Sequence, residues 1–136
     1  MGNGDCYCDM DNIIFELNNV SFAYLGKFSA LSGVDLKIKS GNKICVIGAN
    51  GCGKSTFLQI LDGLIFPDQG EIKFCEQVLN EKRFQDDKFS HEFRRKVGFV
   101  FQNPDVQLFC PTVEEDLVFG PLQLGLDKEE IKKRLD

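Results

Sequence analysis

The chain alternates between two kinds of apolar pattern, and the switch between them organises the rest. In residues 34–39, Val34, Leu36 and Ile38 fall on one side, and Asp35, Lys37 and Lys39 on the other. A period of two predicts a half-buried antiparallel strand, ending in a turn at Ser40-Gly41-Asn42. Upstream, "IIFELNNVSFAY" (13–24) mixes β-branched and aromatic residues and predicts another strand. "KICVIG" (43–48) and "VGFVF" (97–101) are continuous apolar runs, the pattern of central strands buried on both faces. "GEIKF" (70–74) predicts a short strand.

Helical spacing appears between and after these runs. Phe57, Leu58, Ile60 and Leu61 predict a helix over 54–62, with Gly63 as its stop. Residues 75–90 are polar and mixed, which predicts a surface excursion. "SHEFRRK" (90–96) predicts a short helix capped by Ser90. Thr112 and Glu115 stand in capping-box spacing and open a helix that Gly120-Pro121 should end. Asp127 and Glu130 repeat that spacing at the head of "DKEEIKKRLD" (127–136). The polar residues 1–12 are expected to be disordered. There is no internal repeat and no low-complexity tract.

Composition narrows the classes. The chain has 136 residues, 43% of them hydrophobic and 27% charged, which suits one domain or a piece of a larger one. The net charge of −5 argues against a sequence-independent nucleic-acid binder, which needs a basic face. No nucleic-acid partner is therefore expected, although a nucleotide needs only one local positive site. The six cysteines are scattered with no C-x-x-C, and the single histidine, His91, gives no metal-ligand spacing. Free thiols in a reducing cytoplasm are expected. No secretory signal and no apolar run of membrane-spanning length is present, so a membrane role would need a partner.

The chemistry concentrates at the end of the first apolar run. Gly48-x-x-x-x-Gly53-Lys54-Ser55 is a complete phosphate-loop pattern, set between a predicted strand and a predicted helix. A polyphosphate needs backbone N–H groups turned to one side, and glycine tolerates the dihedrals this requires. The helix N-terminus adds attraction. Lys54 brings a mobile positive charge to the β- and γ-phosphates, and the Ser55 hydroxyl suits Mg²⁺. The bland alternative is a chance turn, which the strand–loop–helix context disfavours.

"GANGCGKST" (48–56) together with "VGFVFQNPDVQLFCPTVEEDLVFGP" (97–121) resembles the nucleotide-binding subunit of an ABC transporter. More narrowly it is similar to the ATPases of energy-coupling-factor importers, the cobalt, nickel and vitamin uptake group. The resemblance runs from Ile13 to Asp136. It implies an α/β fold: an incomplete P-loop NTPase core, an N-terminal antiparallel β-subdomain and the start of a helical subdomain. It implies ATP and Mg²⁺ as ligands, held by Gly48, Ala49, Asn50, Gly51, Cys52, Gly53, Lys54, Ser55 and Thr56. Gln102 matches the Q-loop glutamine, whose side chain in the family approaches Mg²⁺ and the attacking water. Tyr24 matches the aromatic that stacks on adenine. The implied partners are a transmembrane subunit and a second ATP-binding subunit, homo- or heterodimeric, at the cytoplasmic face of the cell membrane.

Other charged groups have plainer readings. Glu114, Glu115 and Asp116 fit helix capping and the dipole, and Lys128, Lys132, Lys133 and Arg134 a solvated face. The family's glycine-rich signature, its apolar strand ending in Asp-Glu and its later His do not occur in residues 1–136. The chain thus corresponds to the N-terminal part of such a subunit. Read as a transport ATPase, it couples hydrolysis to uptake in full-length form. Read as a fragment, it binds nucleotide without turnover. A P-loop kinase or GTPase is the weakest alternative, since no N-K-x-D-type motif is present and "NPDVQLF" has no place in it.

Overall fold

The computed structural model describes residues 12–103, 105 and 107–135. The expectation of disorder for the N-terminal residues falls, from 1 to 11, outside the described residues, as do Cys6, Cys8, Pro104 and Asp136. The chain divides into two compact units, Met1–Asp87 and Lys88–Asp136.

The first unit is built on a four-stranded antiparallel sheet of order β2-β1-β3-β4. Its strands are β1 (Ile13–Tyr24), β2 (Phe28–Lys39), β3 (Gln69–Phe74) and the two-residue β4 (Gln77–Val78). The hairpin between β1 and β2 turns at Leu25 (φ 55°) and Gly26 (φ 63°), both left-handed, with the Lys27 amide bonded to the Tyr24 carbonyl at 3.1 Å. Two positive-φ residues match the twist of the flanking strands. The predicted alternation in β2 is observed: Val34, Leu36 and Ile38 are half-buried, Asp35, Lys37 and Lys39 exposed.

Side-chain register explains why the sheet holds. Leu17 pairs with Leu36 on one side and Ile72 on the other, and Phe15 pairs with Phe74 at 5.1 Å between ring centroids. Leu17, Val20 and Ile72 are almost wholly buried. On the opposite face Glu16 pairs with Lys37 and with Lys73 in register, and Lys37 Nζ lies 2.7 Å from its carboxylate. Apolar pairs on one face and opposite charges on the other fix the same register twice.

Helix α1 (Lys54–Leu61) buries Thr56, Phe57 and Ile60. It ends in a Schellman motif, with the Leu64 amide on the Gln59 carbonyl, the Gly63 amide on the Ile60 carbonyl and Gly63 at φ 65°. The stop predicted at Gly63 is therefore observed. The excursion over 75–90 is more structured than its composition suggests. It holds β4 and a short helix α2 (Glu81–Phe84), capped by the Asn80 side chain on the Arg83 amide.

Helix α3 (Asp87–Lys96) starts three residues ahead of the predicted Ser90 cap, and buries Phe89 and Phe93. In the second unit, α4 (Val113–Gln123) opens as predicted, with Thr112 Oγ1 accepting from the Glu115 amide at 3.3 Å. It does not end at Gly120-Pro121. Pro121 sits inside the helix, and the stop comes at Gly125 (φ 73°) with the Leu126 amide on the Pro121 carbonyl and the Gly125 amide on the Leu122 carbonyl. A proline lacks a donor but keeps its carbonyl, and that carbonyl is here used by the cap. Helix α5 (Lys128–Leu135) begins with Asp127 Oδ1 accepting from the Glu130 amide at 2.8 Å, and Ile131 is its buried residue.

Two predicted strands are not formed. Residues 43–48 and 97–101 take no regular structure, and Ile47 (88% exposed) and Val100 (84%) face outward. An apolar run becomes a central strand only when ladders on both edges satisfy its amides and layers cover its two faces. Among the described residues, neither segment pairs with a neighbouring strand.

Candidate functional site

The candidate phosphate loop lies wholly in the first unit, between residues 43–48 and α1. Its backbone is bent by glycines: Gly51 has φ 80° and Gly53 φ 93°. At Gly53 a second constraint operates, since a Cβ there would stand 2.2 Å from the Ala30 carbonyl oxygen. Gly48 is bound by contact instead, because a Cβ on it would meet Cys52 Sγ at 2.6 Å. The loop is cinched by the Cys52 amide donating to the Ala49 carbonyl at 3.3 Å. Gly53 is the N-cap of α1 and makes no side-chain cap bond, so the first turn of the helix presents its N–H groups without one.

Lys54 turns back over this loop. Its ammonium donates to the carbonyl oxygens of Gly48 at 2.8 Å and Ala49 at 2.7 Å, and reaches Cys52 Sγ at 3.7 Å. The charge is thereby held across the mouth of the loop on hydrogen bonds that an anionic oxygen can replace. Ser55 is exposed at the start of α1, and Thr56 is buried at 6% exposure. An apolar cavity of about 380 Å³ lies beside the loop, lined by Leu31, Leu36, Ile44, Val46, Cys52 and Phe57 among others.

Tyr24, at the end of β1, is brought to the same helix. Its hydroxyl is 3.1 Å from Thr56 Oγ1 and donates to Gln59 Oε1 at 3.5 Å. Its ring meets Phe22 edge to face at 5.0 Å and is 43% exposed. The structure thus brings together Tyr24 and all of residues 48–56. Gln102 belongs to the second unit, where it is exposed directly after residues 97–101. The sequence reading missed Gln59 and the Ala30 carbonyl. Neither has a motif to mark it, because a helical glutamine and a strand carbonyl become part of a site only through tertiary placement.

The thiols differ in surroundings. Cys45 and Cys52 are exposed and free. Cys110, in the second unit, is held above its ordinary pKa by burial first and then by its hydrogen bond to Asp116. The Asp116 carboxylate also accepts the Cys110 amide at 3.1 Å, so it organises the approach to α4.

Similarity to known proteins agrees with this geometry. The profile of the ABC transporter family matches residues 31–135. The nickel import ATP-binding protein NikO of Rhodobacter capsulatus is 53% identical over 121 residues, which cover 89% of this chain and 47% of that protein. The energy-coupling factor transporter ATP-binding protein EcfA of Methanocaldococcus jannaschii is 43% identical over 123 residues, covering 90% and 42%. Among solved structures, cbiO1 of Clostridium perfringens, part of the ABC transporter complex cbiONQ, superposes with a TM-score of 0.76 at 34% identity, covering 93% of this chain and 49% of that one. The ATP-binding cassette MJ0796, solved as a dimer in a post-hydrolysis state bound to ADP and Pi, gives 0.74 at 31% identity, covering 89% and 53%.

A glycine-bent loop and a lysine folded over the start of a helix, together with these matches, place the chain in the ABC transporter family. The chain spans about half the length of the curated relatives it matches. Among the described residues, no helix is long and apolar enough to cross a membrane.

Proposed function

We propose that the chain is the nucleotide-binding part of an importer ATPase of the energy-coupling-factor type, in which ATP hydrolysis drives uptake of cobalt, another metal ion or a vitamin. The observation that carries this reading is the Lys54 ammonium held on the Gly48 and Ala49 carbonyls at the head of α1. A polyphosphate exchanges for those carbonyls at little cost, because the charge and the donors are already in place. Residues 13–136 form one partial ATP-binding domain in this reading.

The residues present suit ATP with Mg²⁺. The loop supplies backbone N–H groups over Gly48 to Thr56, including Ala49, Asn50, Gly51 and Cys52. Ser55 and Gln102 offer hard oxygen donors of the kind Mg²⁺ takes. Mg²⁺ supplies charge neutralisation on the phosphates when bound. Lys54 stabilises charge on the β- and γ-phosphates, Gln102 orients the attacking water, and the exposed ring of Tyr24 offers a face to adenine. The partners are a transmembrane subunit and a second ATP-binding subunit, with the chain peripheral at the cytoplasmic face. The name of NikO, a nickel import ATP-binding protein, supports the metal branch of this reading.

A second reading concerns the 136 residues by themselves. They carry the loop but no apolar strand ending in Asp-Glu to supply a general base. In that form the chain binds nucleotide and turns none over. Titration of MgATP against the chain, followed by phosphate release over hours, tests both. Binding without release fits the second reading, binding with release the first, and no binding in the millimolar range overturns both.

A further inference from the structure

The contact between Tyr24 and Thr56 gives Tyr24 a task that a base-stacking ring alone does not need. Thr56 follows Lys54 by two residues, in the first turn of α1. Its side chain is buried, and its Oγ1 has the Tyr24 hydroxyl at 3.1 Å. The same hydroxyl reaches Gln59 Oε1 at 3.5 Å, one helical turn further on. When Tyr24 donates to Gln59, the Thr56 hydroxyl donates to Tyr24 and keeps its lone pairs. Phe22, two residues earlier on the same face of β1, holds the ring edge to face at 5.0 Å. The ring is thus fixed from its side by the strand and from its tip by the helix.

We propose that Tyr24 is a positioning residue for the phosphate loop, acting through its hydroxyl on Thr56 and independently of the base. The inference rests on the nucleotide-binding reading and deepens it. Removing the hydroxyl leaves a buried Thr56 hydroxyl without its partner, beside the N–H groups that face the phosphates. A buried polar group in that position turns to new partners, and the first turn of α1 loosens with it. A residue whose only role is to stack on adenine would leave phosphate binding unchanged.

The test compares Tyr24→Phe, Thr56→Val, Thr56→Ser and the Y24F/T56V pair in the 136-residue chain. Calorimetry measures MgATP, MgGTP and inorganic tripolyphosphate with Mg²⁺, well below each variant's melting temperature. Y24F is expected to weaken all three ligands by one common factor, roughly threefold to tenfold. T56S, which keeps the hydroxyl, should lose less than T56V does, and the double variant should bind no worse than T56V alone. Loss confined to the two nucleotides, with tripolyphosphate untouched, overturns the inference and leaves a stacking role. So does unchanged binding of all three by Y24F, or full additivity in the double variant. A wild-type chain that binds none of the three ligands overturns the nucleotide-binding reading itself, and this inference with it.

Discussion

The ammonium of Lys54 donates a hydrogen bond of 2.8 Å to the carbonyl oxygen of Gly48, six residues earlier, and so closes the loop on itself. In the proposed reading the side chain is both the positive charge offered to a phosphate and the tie that shapes the loop. Lys54→Ala removes the two together. A charge-assisted hydrogen bond contributes about 1.5–3 kcal/mol, so MgATP affinity should fall by roughly tenfold to a hundredfold. Equilibrium binding of a fluorescent nucleotide measures it. Because Lys54's partners lie at the surface, the melting temperature should hardly move. Undiminished affinity in K54A would remove the loop from the binding site.

Gly53 makes a sharper case, since space and conformation both exclude a side chain. A Cβ would stand 2.2 Å from the Ala30 carbonyl oxygen, on a residue at φ 93°. Left-handed backbone costs a non-glycine residue about 1–2 kcal/mol, and the clash with β2 backbone adds to that. Gly53→Ala should lower the denaturant midpoint and abolish measurable nucleotide binding. A G53A chain that binds as the wild type would show that α1 can shift away from β2 without cost to the loop.

The sheet gives a prediction that does not depend on function. Leu17 is 1% exposed and lies in register between Leu36 and Ile72. Leu17→Ala removes buried methyl groups from the centre of three strands and should cost about 2–5 kcal/mol, read from urea unfolding. For a small domain that is a large share of total stability. A cost well under 1 kcal/mol would mean that the sheet refills the space.

These elements differ in how far the sequence revealed them. The alternation of Val34 to Lys39 and the caps at Thr112 and Asp127 are local patterns, and the structure shows each one. The bent backbone over residues 48–53 and the helix after it were legible in the spacing of glycine, lysine and hydroxyl residues. Residues 43–48 misled, because a continuous apolar run reports burial, and burial depends on neighbours that no local window contains. Helix α4 misled differently, since Gly120-Pro121 reads as a stop while the Schellman cap at Gly125 decides. The tie from Tyr24 to Thr56 was invisible, as it joins residues 32 apart.

Glu16 gives the pH dependence. The hydrogen bond from Lys37 is the main cause that holds its carboxyl below the ordinary range; burial opposes it, and the charges of Lys37 and Lys73 assist. A carboxylate with a depressed folded pKa stabilises the fold above its unfolded pKa, and that contribution fades as pH falls through the folded value. Wild type should therefore be more stable than Glu16→Gln at pH 7, with the gap closing in the acid range below ordinary carboxylate titration. Chemical denaturation at several pH values measures the gap. The pair is at the surface, so the gap should be small and should shrink in high salt.

Cys52 offers a chemical probe of the loop. Its thiol is exposed, lies 3.7 Å from the Lys54 ammonium, and packs where a Cβ on Gly48 would be. An alkyl group on that sulfur must lie against the loop backbone or beside Lys54, and either position obstructs a phosphate. Iodoacetamide treatment should therefore block MgATP binding, and MgATP present beforehand should slow modification at Cys52 while leaving Cys45 and Cys110 unprotected. Intact-mass and peptide mapping follow each site separately, and the Cys52→Ala chain supplies the control that keeps binding after treatment. Full modification of Cys52 with unchanged MgATP affinity would place the phosphates away from residues 48–54, and the loop would then be an ordinary turn leading into α1.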